Sequence, residues 1–158
     1  TTEIYTLSLH DALPIFHCEC FPFILSKLST MKSSDEFQLT QEDKDRYEKR
    51  ISEIDLNDIP MVLKEIPQKI EKLVSHPSLL DYQIILVTDI SKLVSILRDL
   101  PELNYSLKKR IVFALEYFLE EYDEIPDSSP QIGLLDDYVL VRWVVDDIIS
   151  DYSELFTA

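Results

Sequence analysis

The chain contains a single glycine, Gly133, among 158 residues. Tight hairpins in antiparallel sheets favour glycine or asparagine at positive φ, so a protein with several hairpins is difficult to build from this sequence. Helices joined by loops of proline, aspartate and serine have no such requirement, and the chain has eight prolines. The sequence therefore predicts an all-α fold.

Apolar residues recur at helical spacing in five segments. These segments are 43–54, 60–74, 78–99, 106–122 and 136–152. The third is the clearest, because the stripe through Leu86, Ile90 and Leu93 continues well beyond the length of a strand. We predict a single bundle of four to five helices. We expect the first helix to pack loosely, since it is mostly charged, and Pro67 to kink or break the second.

Several helix starts carry capping residues. Thr40 and Asp43 resemble a capping box before the first helix, although glutamate or glutamine is usual at the third position. Asn57 or Asp58 is suited to cap the second helix, with Pro60 in its first turn. The candidate caps of the fourth helix are Asn104 and Ser106.

The first fifteen residues, TTEIYTLSLHDALPI, resemble the in-frame translation of a common short-read sequencing adapter. We therefore interpret residues 1–30 as a non-native, disordered segment, and residues 31–158 as one helical domain that starts at Met31. Both cysteines, Cys18 and Cys20, lie in the excluded segment. No second pair follows them, so they do not predict a structural zinc site.

The chain is strongly acidic, with a formal net charge of −15 at pH 7. Such a charge repels phosphate backbones, which argues against nucleic-acid binding, and it favours a basic protein partner. No apolar run approaches the ~18 residues that a membrane span requires. Residues 31–158 contain no cysteine, so nothing in them indicates disulfides, and a cytoplasmic location is the expectation. The oligomeric state stays open.

One loop with its flanking helices carries an ordered motif. The motif residues are Ala114, Leu115, Tyr117, Phe118, Asp123, Ile125, Pro126, Asp127, Pro130, Gly133, Asp136 and Asp137. In this order they resemble the signature of the YkvA-like family, domain of unknown function 1232, over residues 107–147. The resemblance implies a helical fold and supplies no activity.

The aspartates of this motif allow two interpretations. In the first they build local structure: Asp136 caps the last helix, Asp137 lies in its first turn, and Gly133 supplies a positive φ or a close backbone approach. In the second, Asp123, Asp127, Asp136 and Asp137 surround one Mg²⁺ or Ca²⁺ ion, which prefers oxygen ligands. The first interpretation implies no cofactor. The spacing does not match a calcium-loop template.

Catalytic motifs are scarce. His76 is the single histidine of residues 31–158, and it precedes a proline at a helix end. The sequence lacks a nucleophile elbow, a phosphate-binding glycine loop and an H-E-x-x-H motif. We therefore predict an interaction or structural module without catalysis. The alternative is a divalent-metal-binding regulator or a metal-dependent hydrolase that uses the aspartates around 123–137.

Overall fold

The computed structural model describes residues 38–121 and 133–153. Across these two ranges the chain forms five α-helices and a short 3₁₀ helix, without a β-strand. The helices are α1 (Gln41–Glu53), the 3₁₀ helix (Leu56–Asp58), α2 (Ile59–Val74), α3 (Asp81–Asp99), α4 (Tyr105–Leu119) and α5 (Leu135–Asp151). The prediction of an all-α fold is confirmed. Residues 1–30 lie outside the described ranges, so their interpretation stays a prediction.

Within residues 38–121 and 133–153, helix α4 is the central element, and each of the other helices described there packs against it. Eight of its residues are buried, namely Leu107, Ile111, Val112, Phe113, Ala114, Leu115, Tyr117 and Phe118. Helix α5 runs antiparallel to α4, because Asn104 contacts Tyr152 at one end while Tyr117 contacts Asp136 at the other. Helix α5 also packs along α3, so its broad apolar face is buried on more than one side, as its pattern predicts.

Two of the predicted caps are confirmed. The Thr40 hydroxyl accepts from the Asp43 amide, and an Asp43 carboxylate oxygen accepts from the Thr40 amide at 3.0 Å. Asparagine 104 caps α4 by accepting from the Leu107 amide at 2.8 Å. Before α2, Asp58 occupies the cap position without a side-chain hydrogen bond. These side chains satisfy amide groups that the first helical turn leaves without an intrahelical partner.

Pro67 does not break the second helix, so that part of the prediction is wrong, whereas a kink there stays a prediction. Helix α2 continues through Pro67 from Ile59 to Val74. Pro67 is exposed, so the backbone carbonyl that loses its helical partner lies on the side where water can reach it. On the opposite side Val62 and Ile66 are buried in the core, and burial of this face holds the helix together across the proline.

The apolar side of α1 is narrow, but the two residues on it are buried. Tyr47 is 2% exposed, and its ring lies 5.8 Å from the rings of both Phe113 and Tyr117. Ile51 is buried beside it. Helix α1 has too few apolar residues for a wide stripe, and the large ring of Tyr47 provides much of its buried contact instead.

Three cations begin α4, where they oppose the helix dipole. Each has a partner elsewhere in the fold. Lys108 donates to the Pro101 carbonyl oxygen at 2.6 Å, and Lys109 donates to the Ser52 carbonyl oxygen at 2.5 Å. Arg110 donates to Glu48 at 2.7 Å. Tertiary contacts thereby compensate an unfavourable local charge arrangement.

Candidate functional site

The motif residues that the structure describes converge where α4 ends and α5 begins. Tyr117 and Phe118 are buried on α4, Gly133 precedes α5, and Asp136 and Asp137 lie in the first turn of α5. The remaining members of the motif loop, Asp123, Ile125, Pro126, Asp127 and Pro130, lie outside the described residues. We call four of the described motif residues, Tyr117, Gly133, Asp136 and Asp137, the α4–α5 junction.

Asp136 connects the two helices of the junction. Its Oδ2 atom accepts a hydrogen bond from the Tyr117 hydroxyl at 3.2 Å, and Tyr117 is 1% exposed. The prediction that Asp136 caps α5 is wrong, because the helix begins at Leu135 and the cap position falls on Leu134. Leu134 has a left-handed backbone with φ of 69° and a buried side chain. Asp136 therefore fixes α5 against α4 instead of capping it.

Asp137 is the third residue of α5 and is fully buried. Its place in the first turn is as predicted, and the positive end of the helix dipole favours a carboxylate there. Both carboxylates lie near Tyr82 of α3. Burial raises the pKa of the Tyr82 hydroxyl, and the charges of Asp136 and Asp137 raise it further. A hydrogen bond with Gln83 lowers this pKa and so opposes the rise. The junction is thus an acidic interior region lined by tyrosines.

Gly133 has no positive φ, so that half of its prediction is wrong. The close backbone approach stays a prediction. Gly133 is buried, and its carbonyl oxygen accepts a hydrogen bond from the Tyr82 hydroxyl at 2.6 Å. The left-handed conformation predicted for the glycine belongs to Leu134, the next residue. In this way the backbone before α5 is joined to α3.

The proposed metal ligands are only partly described. Asp136 and Asp137 are adjacent on one helix, where neighbouring side chains point about 100° apart. Among residues 38–121 and 133–153, no group of three or more His, Cys, Asp or Glu side chains is placed to hold a metal ion. Because Asp123 and Asp127 fall in neither range, a Mg²⁺ or Ca²⁺ site made with them stays a prediction.

Thermal unfolding with added metal tests this site. We expect the melting temperature of the whole chain to be equal in Mg²⁺, Ca²⁺ and EDTA, because Asp137 is buried in the fold and Asp136 is bonded to Tyr117. We expect Asp136→Asn to lower it equally in all three. A ligand at ~100 times its dissociation constant would add about 2.7 kcal/mol. A rise in one metal that Asp136→Asn abolishes would contradict this expectation.

The chain matches no protein-family model, no curated protein and no solved structure. The resemblance to the YkvA-like family therefore rests on the motif residues alone.

A second polar group lies between α3 and α5. Arg142 donates to Asp89 at 2.9 Å and to Asp146 at 2.7 Å. The sequence predicts the second contact, because Asp146 follows Arg142 by one helical turn. It does not predict the first. The signal is present, however: Asp89 stands beside Ile90 in the apolar stripe of α3 and is 4% exposed. A carboxylate in such a position requires a partner of opposite charge.

Acidic residues also gather where the 3₁₀ helix meets α4. Burial raises the pKa of Glu116, and the charges of Asp58, Glu120 and Asp55 contribute to the rise, with Arg50 opposing it. Arg50 donates to Glu120 at 2.5 Å. The group is therefore an excess of carboxylates around one arginine, which makes this part of the surface negative.

One small cleft lies at the opposite end of α4, between its first turn and the last turn of α5. It has a volume of about 110 Å³, and Asn104, Arg110, Asp147 and Tyr152 are among its lining residues. Pockets for small organic ligands usually occupy about 300–1,000 Å³. This cleft is too small to bind such a ligand.

In the described part of the chain, none of the helices is both long and apolar enough to cross a membrane.

Proposed function

We propose that the protein is a non-catalytic interaction module that binds a basic protein partner through its acidic surface. The observation that carries the proposal is the ion pairing of the arginines. Each of the five arginines is ion-paired with a carboxylate of the same chain, so its positive charge is offset locally. The pairs are Arg46 with Asp43, Arg50 with Glu120, Arg98 with Asp99, Arg110 with Glu48 and Asp147, and Arg142 with Asp89 and Asp146.

The surplus charge consequently faces solvent. Exposed glutamates recur on α1 and α2, where Glu42, Glu53, Glu65 and Glu71 are all exposed. The net charge of −15, or about −13 once the −2 of residues 1–30 is left out, creates a negative potential that attracts a basic partner from a distance. It repels nucleic acids. This potential raises the association rate more than it slows dissociation, so binding should be fast and sensitive to salt.

The junction supports the non-catalytic part of the proposal. A tyrosine hydroxyl that donates to a carboxylate is a pair capable of proton transfer, but Tyr117 is 1% exposed. The role of the pair that fits this burial is to hold α4 and α5 together. An inhibitor-like or immunity-like protein is one kind of module that uses steered binding in this way. The cytoplasmic location expected from the sequence is retained as part of the proposal.

Salt-dependent binding tests the proposal. We expect an arginine- and lysine-rich peptide of about 20 residues to bind the whole chain, with association about tenfold slower at 300 mM salt than at 50 mM because of screening. The measurement is surface plasmon resonance across a salt series. The variant Glu42→Gln/Glu53→Gln/Glu65→Gln/Glu71→Gln should associate more slowly while its melting temperature changes little.

A glutamate-rich peptide of equal length is the control, and it should not bind. An association rate that is independent of salt and unchanged in the four-site variant would contradict the proposal, as would equal binding of the two peptides.

A further inference from the structure

Helix α1 is joined to the fold by few core residues. It is 13 residues long, and only Tyr47 and Ile51 of it are buried, whereas α4 buries eight residues. Isolated helices of this length are marginal in water. Its folding and its docking on α4 are therefore coupled, and its local stability depends on this one contact surface.

Arg50 of α1 occupies an arginine-binding arrangement on α4. Its guanidinium carbon lies 5.3 Å from the ring centroid of Phe113 and 5.5 Å from that of Tyr117. Its Nη2 atom donates to Glu120 at 2.5 Å. Aromatic faces together with a carboxylate are the groups that recognise a guanidinium, through stacking and a charge-assisted hydrogen bond.

The neighbouring contacts extend this arrangement into a groove. Tyr47 inserts its ring between Phe113, Tyr117 and Trp143, whose centroids lie 5.8 Å, 5.8 Å and 6.3 Å away. The surface covered by α1 thus has an aromatic floor and an acidic end. We call it the α1 groove, and it is formed by Phe113, Tyr117, Glu120 and Trp143.

The polar residues around the groove have partners or solvent contact that do not depend on α1. Arg110 pairs with Glu48 of α1, but it also pairs with Asp147 of α5 at 3.1 Å. Tyr117 donates to Asp136 of α5. Glu120 is partly exposed, so water can solvate it without Arg50. Release of α1 therefore leaves no buried charge without a counter-charge in this group, which removes one obstacle to opening.

We propose that α1 is a displaceable strap, and that the α1 groove is where the basic partner docks an arginine-bearing amphipathic helix. This inference rests on the proposed function and names the partner's binding element. In the closed state Arg50 takes the place of the partner's arginine. Because the strap competes with the partner, it lowers the apparent affinity by the fraction of molecules in which it is open.

Hydrogen exchange on the whole chain tests the strap without any partner. We expect the amides of α1 to exchange about tenfold faster than those of α3 and α5, through an opening that leaves the other helices closed. Tyr47→Ala should accelerate α1 alone. Lys49→Gln, which changes an exposed residue of α1, should have little effect. Equal exchange in all helices, or equal acceleration of all helices by Tyr47→Ala, would overturn the strap.

Binding of a labelled peptide with the sequence of residues 39–54 tests the groove. We expect the whole chain carrying Tyr47→Ala/Arg50→Ala to bind this peptide about tenfold more tightly than the unchanged chain, because the competitor is weakened. The same peptide with Arg50→Ala should bind poorly, whereas the peptide with Lys49→Gln should bind normally.

If the peptide with Arg50→Ala bound as tightly as the unchanged peptide, the α1 groove would not be the docking site for an arginine. This result is distinguishable from failure of the proposed function, which is measured separately by the salt dependence of binding to a basic peptide. If the chain binds the basic peptide but α1 does not open, α1 is not a displaceable strap. The acidic surface alone would then determine binding.

Discussion

Replacement of Tyr117 by alanine should lower the free energy of unfolding by about 4 kcal/mol, the range found when a large aromatic residue is removed from a core. Tyr117 is 1% exposed and makes edge-to-face contacts with Tyr47 at 5.8 Å and Phe113 at 6.2 Å. Truncation leaves a cavity at the centre of the bundle and removes these aromatic pairs. It also removes the hydrogen bond to Asp136. Urea unfolding followed by circular dichroism measures the loss.

Two further variants separate the contributions of Tyr117. Tyr117→Phe keeps the ring and should cost about 1 kcal/mol, the usual net contribution of one hydrogen bond. Tyr105→Ala is the matched control, since Tyr105 begins the same helix and is 65% exposed. It should change stability by no more than about 0.5 kcal/mol. Similar losses from Tyr117→Ala and Tyr105→Ala would show that the ring does not lie in the core.

Sequence periodicity predicts the fold well where burial is one-sided. The stripe through Leu86, Ile90 and Leu93 is a helix that ends at Asp99, as predicted, and all three residues are buried. Periodicity fails where tertiary contacts override a local rule. Pro67 interrupts α2 in sequence but not in space, because Val62 and Ile66 hold the helix on its other side. A residue-by-residue rule for proline cannot include that support.

The junction shows what a motif can and cannot predict. The sequence places Asp136 and Asp137 at the start of the last helix, and the structure confirms it. The roles differ because the helix begins one residue earlier than predicted, and Leu134 takes the left-handed position expected of Gly133. An offset of one residue in the start of a helix alters which side chain can cap it. The contact with Tyr117 spans 19 positions, so only the packing of α4 on α5 reveals it.

Contacts between distant helices are the least predictable from sequence. Tyr47 belongs to a mostly charged helix that is predicted to pack loosely, yet it reaches aromatic residues of α4 and α5. Likewise Asp89 and Arg142 are 53 positions apart and form an ion pair. A charge in an apolar stripe shows that a partner exists but does not identify it. The topology, in which α3 and α5 lie side by side, selects Arg142.

Replacement of Arg142 by methionine should lower the free energy of unfolding by about 3 kcal/mol near neutral pH, because it leaves Asp89 ionised without its main counter-charge in the interior. Asp89 is 4% exposed. Burial raises its pKa, Arg142 and Lys92 oppose the rise, and Asp146 adds to it. Arg98→Met is the matched control, since Arg98 lies on α3 and pairs with the exposed Asp99. It should cost no more than about 0.5 kcal/mol.

The pH dependence distinguishes a lost charge partner from lost packing. A carboxyl whose folded pKa is raised destabilises the fold above that pKa, and this cost disappears as the pH falls through it. Removing Arg142 raises the pKa of Asp89 further, so the deficit of Arg142→Met should shrink on acidification. Asp89→Asn alone should cost about 1 kcal/mol or less, since the neutral amide needs no counter-charge and Arg142 keeps Asp146. The double variant Arg142→Met/Asp89→Asn should regain most of the stability that Arg142→Met loses. If the stability lost in Arg142→Met were the same at every pH, and additive with the effect of Asp89→Asn, Arg142 would act only by filling space.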